Sequence, residues 1–362
     1  MLEHSEAKVR LLGAYLKAYL GVMANDGYTE RIRFYDFFCG EGIYPNGKEG
    51  SPVLMARQLA AVNAARSNKR TPELHLTYND DDPAKVERVR QHLLKVEIAG
   101  LDAVRLHPTN VSFEAALSEV LAGISRAGKE KFFFFLDPYG YKDVKPSQIR
   151  DLMKGGRSEV LLFQPSQFLF RFSEKGTPSA LAHFMSELAS GEDWPQGGST
   201  WDYIRHTTSL FARYLGQSCF VDAFTIQKDA STVFCLFFFT PHIRGFEKML
   251  EAKWKIDSDS GRGWHYEDSQ VGFELFNQPQ TNPLERLLES QFHNAGFVSN
   301  GELYEWTLRQ GFLPTHCRDI LLAWQKAGRL KVDPEDTRKG AFYLNYSDFK
   351  NGPGKIRISL VM

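Results

Sequence analysis

The chain has 362 residues, with 44 Lys and Arg against 44 Asp and Glu, so its formal net charge is zero. A chain of this length buries a core in two or three domains, and a neutral chain has no overall basic field that attracts nucleic acid. The first ten residues are charged and lack the apolar segment of a signal peptide, and the phenylalanine-rich runs are too short to cross a membrane. We therefore expect a cytoplasmic protein with no membrane segment.

The cysteines and histidines are scattered. The four cysteines, at positions 39, 219, 235 and 317, form no close pair, and no two of the ten histidines lie within four residues of each other. Structural zinc sites, iron–sulfur sites and disulfide frameworks need closer spacings. No metal site is predicted.

Strands alternate with helical patterns over the first 164 residues. After an amphipathic helix at about 6–24, strands are predicted at about 32–39, 73–79, 104–108, 131–136 and 160–164, with helices between them. Residues 132–136 are continuously apolar, as a strand buried on both faces requires. This alternation predicts right-handed crossovers and a parallel sheet.

The pattern changes after residue 164. Residues 165–216 indicate an interrupted helical insertion at the mouth of the sheet, and residues 220–227 and 232–240 predict a hairpin that adds an antiparallel pair at the sheet edge. Residues 257–280, rich in Asp, Ser, Gly, Gln and Pro, indicate a linker. The predicted fold is a Rossmann-like α/β domain over 1–256, joined by this linker to a second domain over 281–362.

The second domain has a winged-helix pattern of three helices followed by strands at 328–332 and 341–344. Its third helix and the turn between the strands would expose basic residues for a nucleic acid. The predicted contacts are Arg318, Lys326, Arg329, Arg338 and Lys339. Because residues 281–362 hold 11 Lys and Arg against 9 Asp and Glu, and because winged helices also bind proteins, a nucleic-acid partner and a protein partner both stay open.

The first predicted strand runs into a glycine loop that we interpret as a site for S-adenosylmethionine. Gly40 and Gly42 would let the backbone pass close to the amino-acid part of the ligand, and Asp36 would meet its ammonium group. Phe38, in the same loop, and Ser51 are also predicted cofactor contacts. Ser51 is predicted to cap the next helix as well, with Pro52 in its first turn. The alternative for Asp36 is a buried cap within the strand.

Two further strand ends complete the predicted cofactor site, since ligands of open α/β sheets bind along the carboxyl edge of the strands. Asp80 would accept both ribose hydroxyls, and Asn110 would hold the adenine amine. Asp80 has a second interpretation, because the acids at 80–82 precede Pro83 and can simply cap the following helix.

The fourth strand ends in Asp137-Pro138-Tyr139-Gly140. A carboxylate at the end of a buried strand is costly unless it has a partner or a role. Methylation of an amine needs acceptors that orient the nitrogen and an aromatic face that stacks a planar substrate, so Asp137, Pro138 and Tyr139 are the predicted catalytic residues. Positioning then supplies most of the catalysis. The alternative is a strand terminator and turn.

Together the motifs around Asp36, Gly50-Ser51-Pro52, Asn79-Asp80 and Asp137 resemble those of the three-Cys-motif partner proteins, the TcmP family, over about residues 5–255. The Asn-Asp and Asp-Pro-aromatic-Gly pieces are also similar to the guanine-N2 tRNA dimethyltransferases. The resemblance implies a class I methyltransferase fold, an exocyclic amine as acceptor, and a partner protein with a three-Cys motif resembling radical S-adenosylmethionine proteins.

Two functions stay open at this point. The first is an S-adenosylmethionine-dependent methyltransferase acting on a nucleic-acid base or a similar planar amine. The second is a non-catalytic partner with a methyltransferase-like fold that docks a three-Cys-motif protein or binds nucleic acid. A nicotinamide oxidoreductase is disfavoured, because the loop lacks the third glycine of the dinucleotide fingerprint and the helix begins too far from the strand to bind a pyrophosphate.

Overall fold

The computed structural model describes residues 3–65, 72–138, 144–164, 179–190, 193–194, 200–229, 232–258, 261, 263–265, 283–333, 342–350, 352 and 354–361. The chain divides into two compact units, Met1–Asp268 and Ser269–Met362. Among the described residues, no helix is both long enough and apolar enough to cross a membrane.

The N-terminal unit alternates strands and helices as the sequence predicts. Its strands are β1 (Arg31–Asp36), β2 (Glu73–Asn79), β3 (Val104–Thr109), β4 (Glu130–Leu136), β5 (Ser158–Gln164), β6 (Phe220–Asp229), β7 (Thr232–Thr240) and β8 (Gly263–His265). Its helices are α1 (Glu3–Met23), α2 (Ser51–Ala64), α3 (Pro83–Lys95), α4 (Phe113–Ile124), α5 (Pro146–Met153), α6 (Ser179–Leu188), α7 (Thr200–Leu215) and α8 (Ile243–Ile256). Helices α6 and α7 lie in the predicted insertion at 165–216. Most of the other residues of this insertion lie outside the described ranges.

These strands form one eight-stranded sheet with the order β3-β2-β1-β4-β5-β7-β6-β8. Strands β1 to β5 are parallel, and β7 is antiparallel to both β5 and β6. The predicted fold class, a parallel Rossmann-like sheet extended by an antiparallel hairpin, is therefore confirmed.

The hairpin is not the edge of the sheet, however. Gly263 to His265, which the sequence analysis assigned to a linker, form β8 and pair in parallel with β6. A Cβ atom on Gly263 would lie 2.6 Å from the carbonyl oxygen of Thr225, so only glycine fits this close approach. A three-residue strand is too short to show periodicity in a sequence rich in Gly and Ser.

Helices cover both faces of the sheet. On the face that carries Phe133 and Phe135, one buried cluster includes helices α1, α2, α3 and α8. On the face that carries Phe132 and Phe134, a second cluster includes helices α4, α5, α6 and α7. The continuously apolar sequence of β4 follows from this double burial.

Helix α1 runs antiparallel to the parallel strands, with its first turns at their carboxyl edge. It is anchored at the opposite edge, where the Tyr15 hydroxyl donates a hydrogen bond to the carboxylate of Glu159 at the start of β5. Thr240 Oγ1 donates a second bond of 2.7 Å to this carboxylate. Burial raises the pKa of Glu159 to about 6, although both hydrogen bonds act to lower it.

The C-terminal unit contains α9 (Pro283–Ala295), β9 (Val298–Ser299), α10 (Asn300–Arg309), α11 (Pro314–Lys326), β10 (Leu330–Asp333), α12 (Tyr346–Lys350) and β11 (Arg357–Leu360). The three strands form an antiparallel sheet in the order β10-β11-β9. The three predicted helices are confirmed as α9, α10 and α11.

The second strand of the predicted wing is wrong. Strand β10 pairs with β11, not with the proposed strand at 341–344, of which residue 341 lies outside the described ranges. Tyr343 has a φ of +50°, a left-handed conformation that no strand residue adopts. In the true partner strand, β11, Ile358 is fully buried and its neighbours Arg357 and Ser359 are more exposed.

Candidate functional site

The glycine loop begins three residues earlier than predicted, because β1 ends at Asp36. Gly40 and Gly42 have φ values of +57° and +73°, in the region that glycine adopts without strain. A Cβ atom on Gly42 would also lie 2.7 Å from Cγ2 of Val89 on α3. The Gly50 amide closes the loop with a 2.7 Å hydrogen bond to the Gly42 carbonyl. Glycine is thus required at position 42 on two grounds.

Helix α2 starts directly after this loop, but Ser51 does not cap it. Gly50 is the N-cap residue and makes no side-chain hydrogen bond, whereas Ser51 is the first helical residue, with Pro52 in the first turn as predicted. Ser51 is buried, and its hydroxyl lies beside the carboxylate of Asp36. The predicted capping role of Ser51 is therefore wrong.

Asp36 is a fully buried carboxylate at the end of β1. Neither of its oxygens has a hydrogen-bond partner among the described residues. The pKa of Asp36 is raised to about 7, chiefly by burial and further by the charge of Asp137. The Ser51 hydroxyl, the Phe38 amide and the Lys8 ammonium act in the opposite direction and lower this pKa. A buried carboxylate without a full partner is a site that favours a cation.

Asn79, the last residue of β2, joins three strand ends. Its side-chain Nδ2 donates to the carbonyl oxygens of Phe37, at 3.4 Å, and Val111, at 3.0 Å. Its Oδ1 accepts from Oγ1 of Thr109, at 3.0 Å, and from the Val111 amide, at 3.1 Å. The residues that follow β1 and β3 are therefore fixed to β2 by one buried amide.

Asp80 is 3% exposed and already holds three donors. Its Oδ2 accepts from the Gly40 amide at 3.1 Å, and its Oδ1 accepts from the Asp82 amide and from Nζ of Lys85, both at 3.1 Å. A carboxylate has about four acceptor positions, so one remains for a ligand hydroxyl among the described contacts. The expectation of two ribose hydroxyls on Asp80 requires Lys85 to move. The alternative capping role falls to Asp82, which accepts from the Ala84 amide.

Asn110 is exposed and follows β3. Its Nδ2 donates a 2.8 Å hydrogen bond to the carbonyl oxygen of Asp80, which orients the side chain. The amide oxygen is then directed away from that bond. Phe38, also a predicted cofactor contact, is half-buried, and its ring centroid lies 5.1 Å from that of Phe113.

Asp137 follows β4 and forms an ion pair with Lys8 of α1. The two side chains are 20% and 8% exposed, so this pair is largely shielded from water. Burial acts to lower the pKa of Lys8, but the carboxylate of Asp137 outweighs it and the pKa is raised. Pro138 is buried, and Tyr139 and Gly140 lie outside the described residues. Lys8 is not predictable from the sequence, because a contact between residues 8 and 137 leaves no local pattern.

The structure thus brings the predicted side chains to one edge of the sheet. Asp36 ends β1, and Asp80, Asn110 and Asp137 follow β2, β3 and β4. These four strands are neighbours in the order β3-β2-β1-β4. Gln164 ends β5 at the same edge; it is 1% exposed, and its Oε1 accepts no hydrogen bond from the described residues. A polar residue at the end of an apolar run was its only signal in the sequence.

The basic residues predicted to contact nucleic acid are exposed in the C-terminal unit where they are described. Arg318 is 3.5 Å from Asp319, and Arg329 pairs with Glu289 at 2.7 Å while its guanidinium lies 4.8 Å from the ring centroid of Trp324. Lys326 is exposed at the end of α11. Two of these three charges therefore have acidic neighbours. Arg338 and Lys339 lie outside the described residues.

The protein consists of a Rossmann-like unit, which carries polar side chains at successive strand ends, and a winged-helix unit that follows it in the chain. The family model of the GMT-like wHTH domain matches residues 262–337, which confirms the predicted winged helix. None of the curated proteins compared with the chain matches it.

Several solved structures resemble the chain at low sequence identity. Trm1 from Pyrococcus horikoshii in complex with S-adenosyl-L-methionine is 12% identical with a TM-score of 0.38, covering 68% of this chain and 58% of that one. The O-methyltransferase TomG from Streptomyces achromogenes, in complex with SAM, is 15% identical with a TM-score of 0.34, covering 63% and 79%. The O-methyltransferase from Bacillus cereus, in complex with SAH, is 11% identical with a TM-score of 0.32, covering 63% and 80%. The match thus spans little more than half of the Trm1 chain.

Proposed function

We propose that the N-terminal unit is an S-adenosylmethionine-dependent methyltransferase whose acceptor is an exocyclic amine on a nucleic-acid base or a similar planar substrate. The observation that carries this proposal is the row of polar side chains after β1 to β4. The carboxyl edge is where open α/β sheets bind their ligands.

The donor set at this edge fits the chemical groups of the proposed cofactor. The buried carboxylate of Asp36 lacks a full partner and suits an ammonium group. Asp80 retains one acceptor position for a ribose hydroxyl, and the amide oxygen of Asn110 suits an adenine amine. The left-handed glycines at 40 and 42 present backbone without a Cβ atom at two positions of the loop, where a ligand can approach closely.

Asp137 is the proposed acceptor-binding residue. When bound, the cofactor would supply an electrophilic methyl group, and the protein would need to hold the acceptor nitrogen in line with it. A carboxylate accepts hydrogen bonds from an amine and so fixes the direction of its lone pair. Pro138 and Tyr139 keep the supporting roles predicted from the sequence. The winged-helix unit would deliver the substrate, with Arg318, Lys326, Arg329, Arg338 and Lys339 as its proposed contacts.

The second candidate function is a non-catalytic partner that docks a three-Cys-motif, radical-SAM-like protein or binds nucleic acid. The Lys8–Asp137 ion pair favours it, because an ammonium group of the chain itself already contacts the proposed acceptor carboxylate. Both candidate functions allow the cofactor to bind, so a measurement of methyl transfer is needed to distinguish them.

Isothermal titration calorimetry with S-adenosylmethionine and S-adenosylhomocysteine tests the proposed site. We expect dissociation constants on the order of micromolar, and a loss of at least tenfold in Asp80→Ala. The matched control is Asp81→Ala, whose side chain is exposed beside Asp80. Absence of heat with both ligands in the wild type would contradict the proposal, as would equal effects of the two substitutions.

A further inference from the structure

Among the residues that the structure describes, Lys8 is the one buried cation that contacts Asp137, the central residue of the proposed chemistry, without a role in that chemistry. The ammonium contacts Oδ2 of Asp137 and lies 4.6 Å from the ring centroid of Phe163 on β5. Lys8 is 6% exposed. The charged end of the side chain is therefore buried in contact with both a carboxylate and an aromatic ring.

The first turns of α1 are held over this edge by contacts with the glycine loop. Lys48 pairs with Glu6 at 2.7 Å, and Ser5 lies beside the Tyr44 hydroxyl. Residues 43 and 49 pair as an isolated β-bridge, so these contacts join α1 to a defined turn of the chain. Lys8 thus reaches Asp137 from a helix that is held on both sides of residue 8, by the loop contacts of Ser5 and Glu6 and by the Tyr15–Glu159 hydrogen bond.

Stability alone is a weak reason for this ion pair. Desolvation of two charges offsets most of their attraction, and buried pairs are often replaceable by apolar residues without loss of stability. The geometry does resemble a bound ligand. An alkylammonium presents three N–H donors to Asp137, and a primary or exocyclic amine presents the same kind of donor to the same oxygen.

We propose that Asp137 forms an amine-binding subsite, that Lys8 occupies this subsite in the resting protein, and that an acceptor amine binds only by displacing Lys8. This inference rests on the proposed function for its biological meaning, but it concerns contacts that exist without cofactor. The aromatic face of Phe163 belongs to the subsite, because its ring centroid lies 4.6 Å from the same ammonium that contacts Asp137. Lys8 therefore excludes weakly bound amines and admits an acceptor that brings further contacts of its own.

The test uses Lys8→Ala, which removes the lysine side chain and leaves Asp137 without its cation. We expect n-butylammonium chloride to raise the Tm of this variant by about 2–4 °C relative to an equal concentration of sodium chloride, since a ligand that binds only the native state stabilises it. Tetramethylammonium, which carries the charge but no N–H donor, should have no such effect. Wild-type protein should not respond, because its subsite is filled.

Two control variants locate the effect. Lys17→Ala removes an exposed lysine from the same helix and should behave like wild type. The double variant Lys8→Ala/Asp137→Asn should lose the response, because its neutral amide no longer attracts the cation. If Lys8→Ala does not fold in sodium chloride, the folded fraction after refolding in each salt becomes the measurement. Recovery in n-butylammonium alone would support the subsite.

An equal response of wild type and Lys8→Ala, or no response of Lys8→Ala in either format, would overturn the inference. No cofactor is present in this experiment. Its failure is therefore distinct from failure of the proposed function, which shows instead as absent binding of S-adenosylmethionine and S-adenosylhomocysteine.

Discussion

The buried carboxylate of Asp36 predicts that a substitution in the proposed cofactor site stabilises the ligand-free protein. Its pKa rises from 3.8 to about 7 on folding, chiefly through burial. A difference of about three pKa units corresponds to about 4 kcal/mol. Because the folded state binds the proton more tightly than the unfolded state, wild-type stability falls as the pH rises from about 4 to about 7, and the full loss persists above pH 7.

Asp36→Asn removes the ionisable group and keeps the shape of the side chain. At pH 4 the variant should match the wild type, and at pH 8 it should be more stable by up to about 4 kcal/mol, which corresponds to a rise in Tm of about 8 °C or more. Differential scanning calorimetry at both pH values measures the two differences. The other buried acids, including Glu159, titrate equally in both proteins and cancel in the comparison.

The matched control is Asp80→Asn, because Asp80 is also buried but has three hydrogen-bond donors. This variant should be less stable than wild type at pH 8, since it leaves donors without their charged acceptor. A variant Asp36→Asn that is less stable than wild type by the same amount at pH 4 and pH 8 would refute the reasoning. It would mean that Asp36 has a partner in the folded protein.

Three further predictions concern the loop, the strand ends and the winged helix. Gly42→Ala should reduce cofactor affinity at least tenfold by calorimetry, whereas Gly47→Ala, at a φ of +80° but with no atom within 4 Å of its Cβ position, should leave affinity intact; equal losses would contradict a packing role. Asn79→Ala should lower the free energy of unfolding by about 2–4 kcal/mol in chemical denaturation, because it breaks several buried hydrogen bonds. A loss below about 1 kcal/mol would contradict the role of Asn79 in joining the ends of β1, β2 and β3. Arg318→Ala/Lys326→Ala should weaken duplex or stem-loop binding and reduce its salt dependence; unchanged binding would remove α11 from the interface.

The sequence predicted the edge of the sheet well because its signals are local. An apolar run that stops at a polar residue marks the end of a buried strand, and the carboxyl ends of parallel strands meet at one edge. These two signals predict that Asp36, Asp80, Asn110 and Asp137 lie together at one edge. It also predicted the glycines, since the φ values of Gly40 and Gly42 are a backbone property that few other residues tolerate.

The sequence predictions are wrong or incomplete where contacts between distant residues determine the structure. Ser51 looks like a helix cap, yet Gly50 takes that position and Ser51 turns toward Asp36. The wing was assigned to the nearer apolar stretch, whereas β10 pairs with a strand about 25 residues further along the chain. Lys8 was missed because nothing near residue 8 reveals an ion pair with residue 137.

The most direct test of the central claim is methyl transfer itself. The protein is incubated with total RNA or DNA and S-adenosylmethionine that carries a deuterated methyl group, and the digested nucleosides are analysed by mass spectrometry. We expect the label on a nucleoside with an exocyclic amine for the wild type, and loss of the label in Asp137→Ala with cofactor binding retained. Wild-type protein that binds the cofactor and labels no nucleic acid would contradict catalysis on nucleic acid and leave the non-catalytic partner as the better account. Label retained in Asp137→Ala would remove Asp137 from the site.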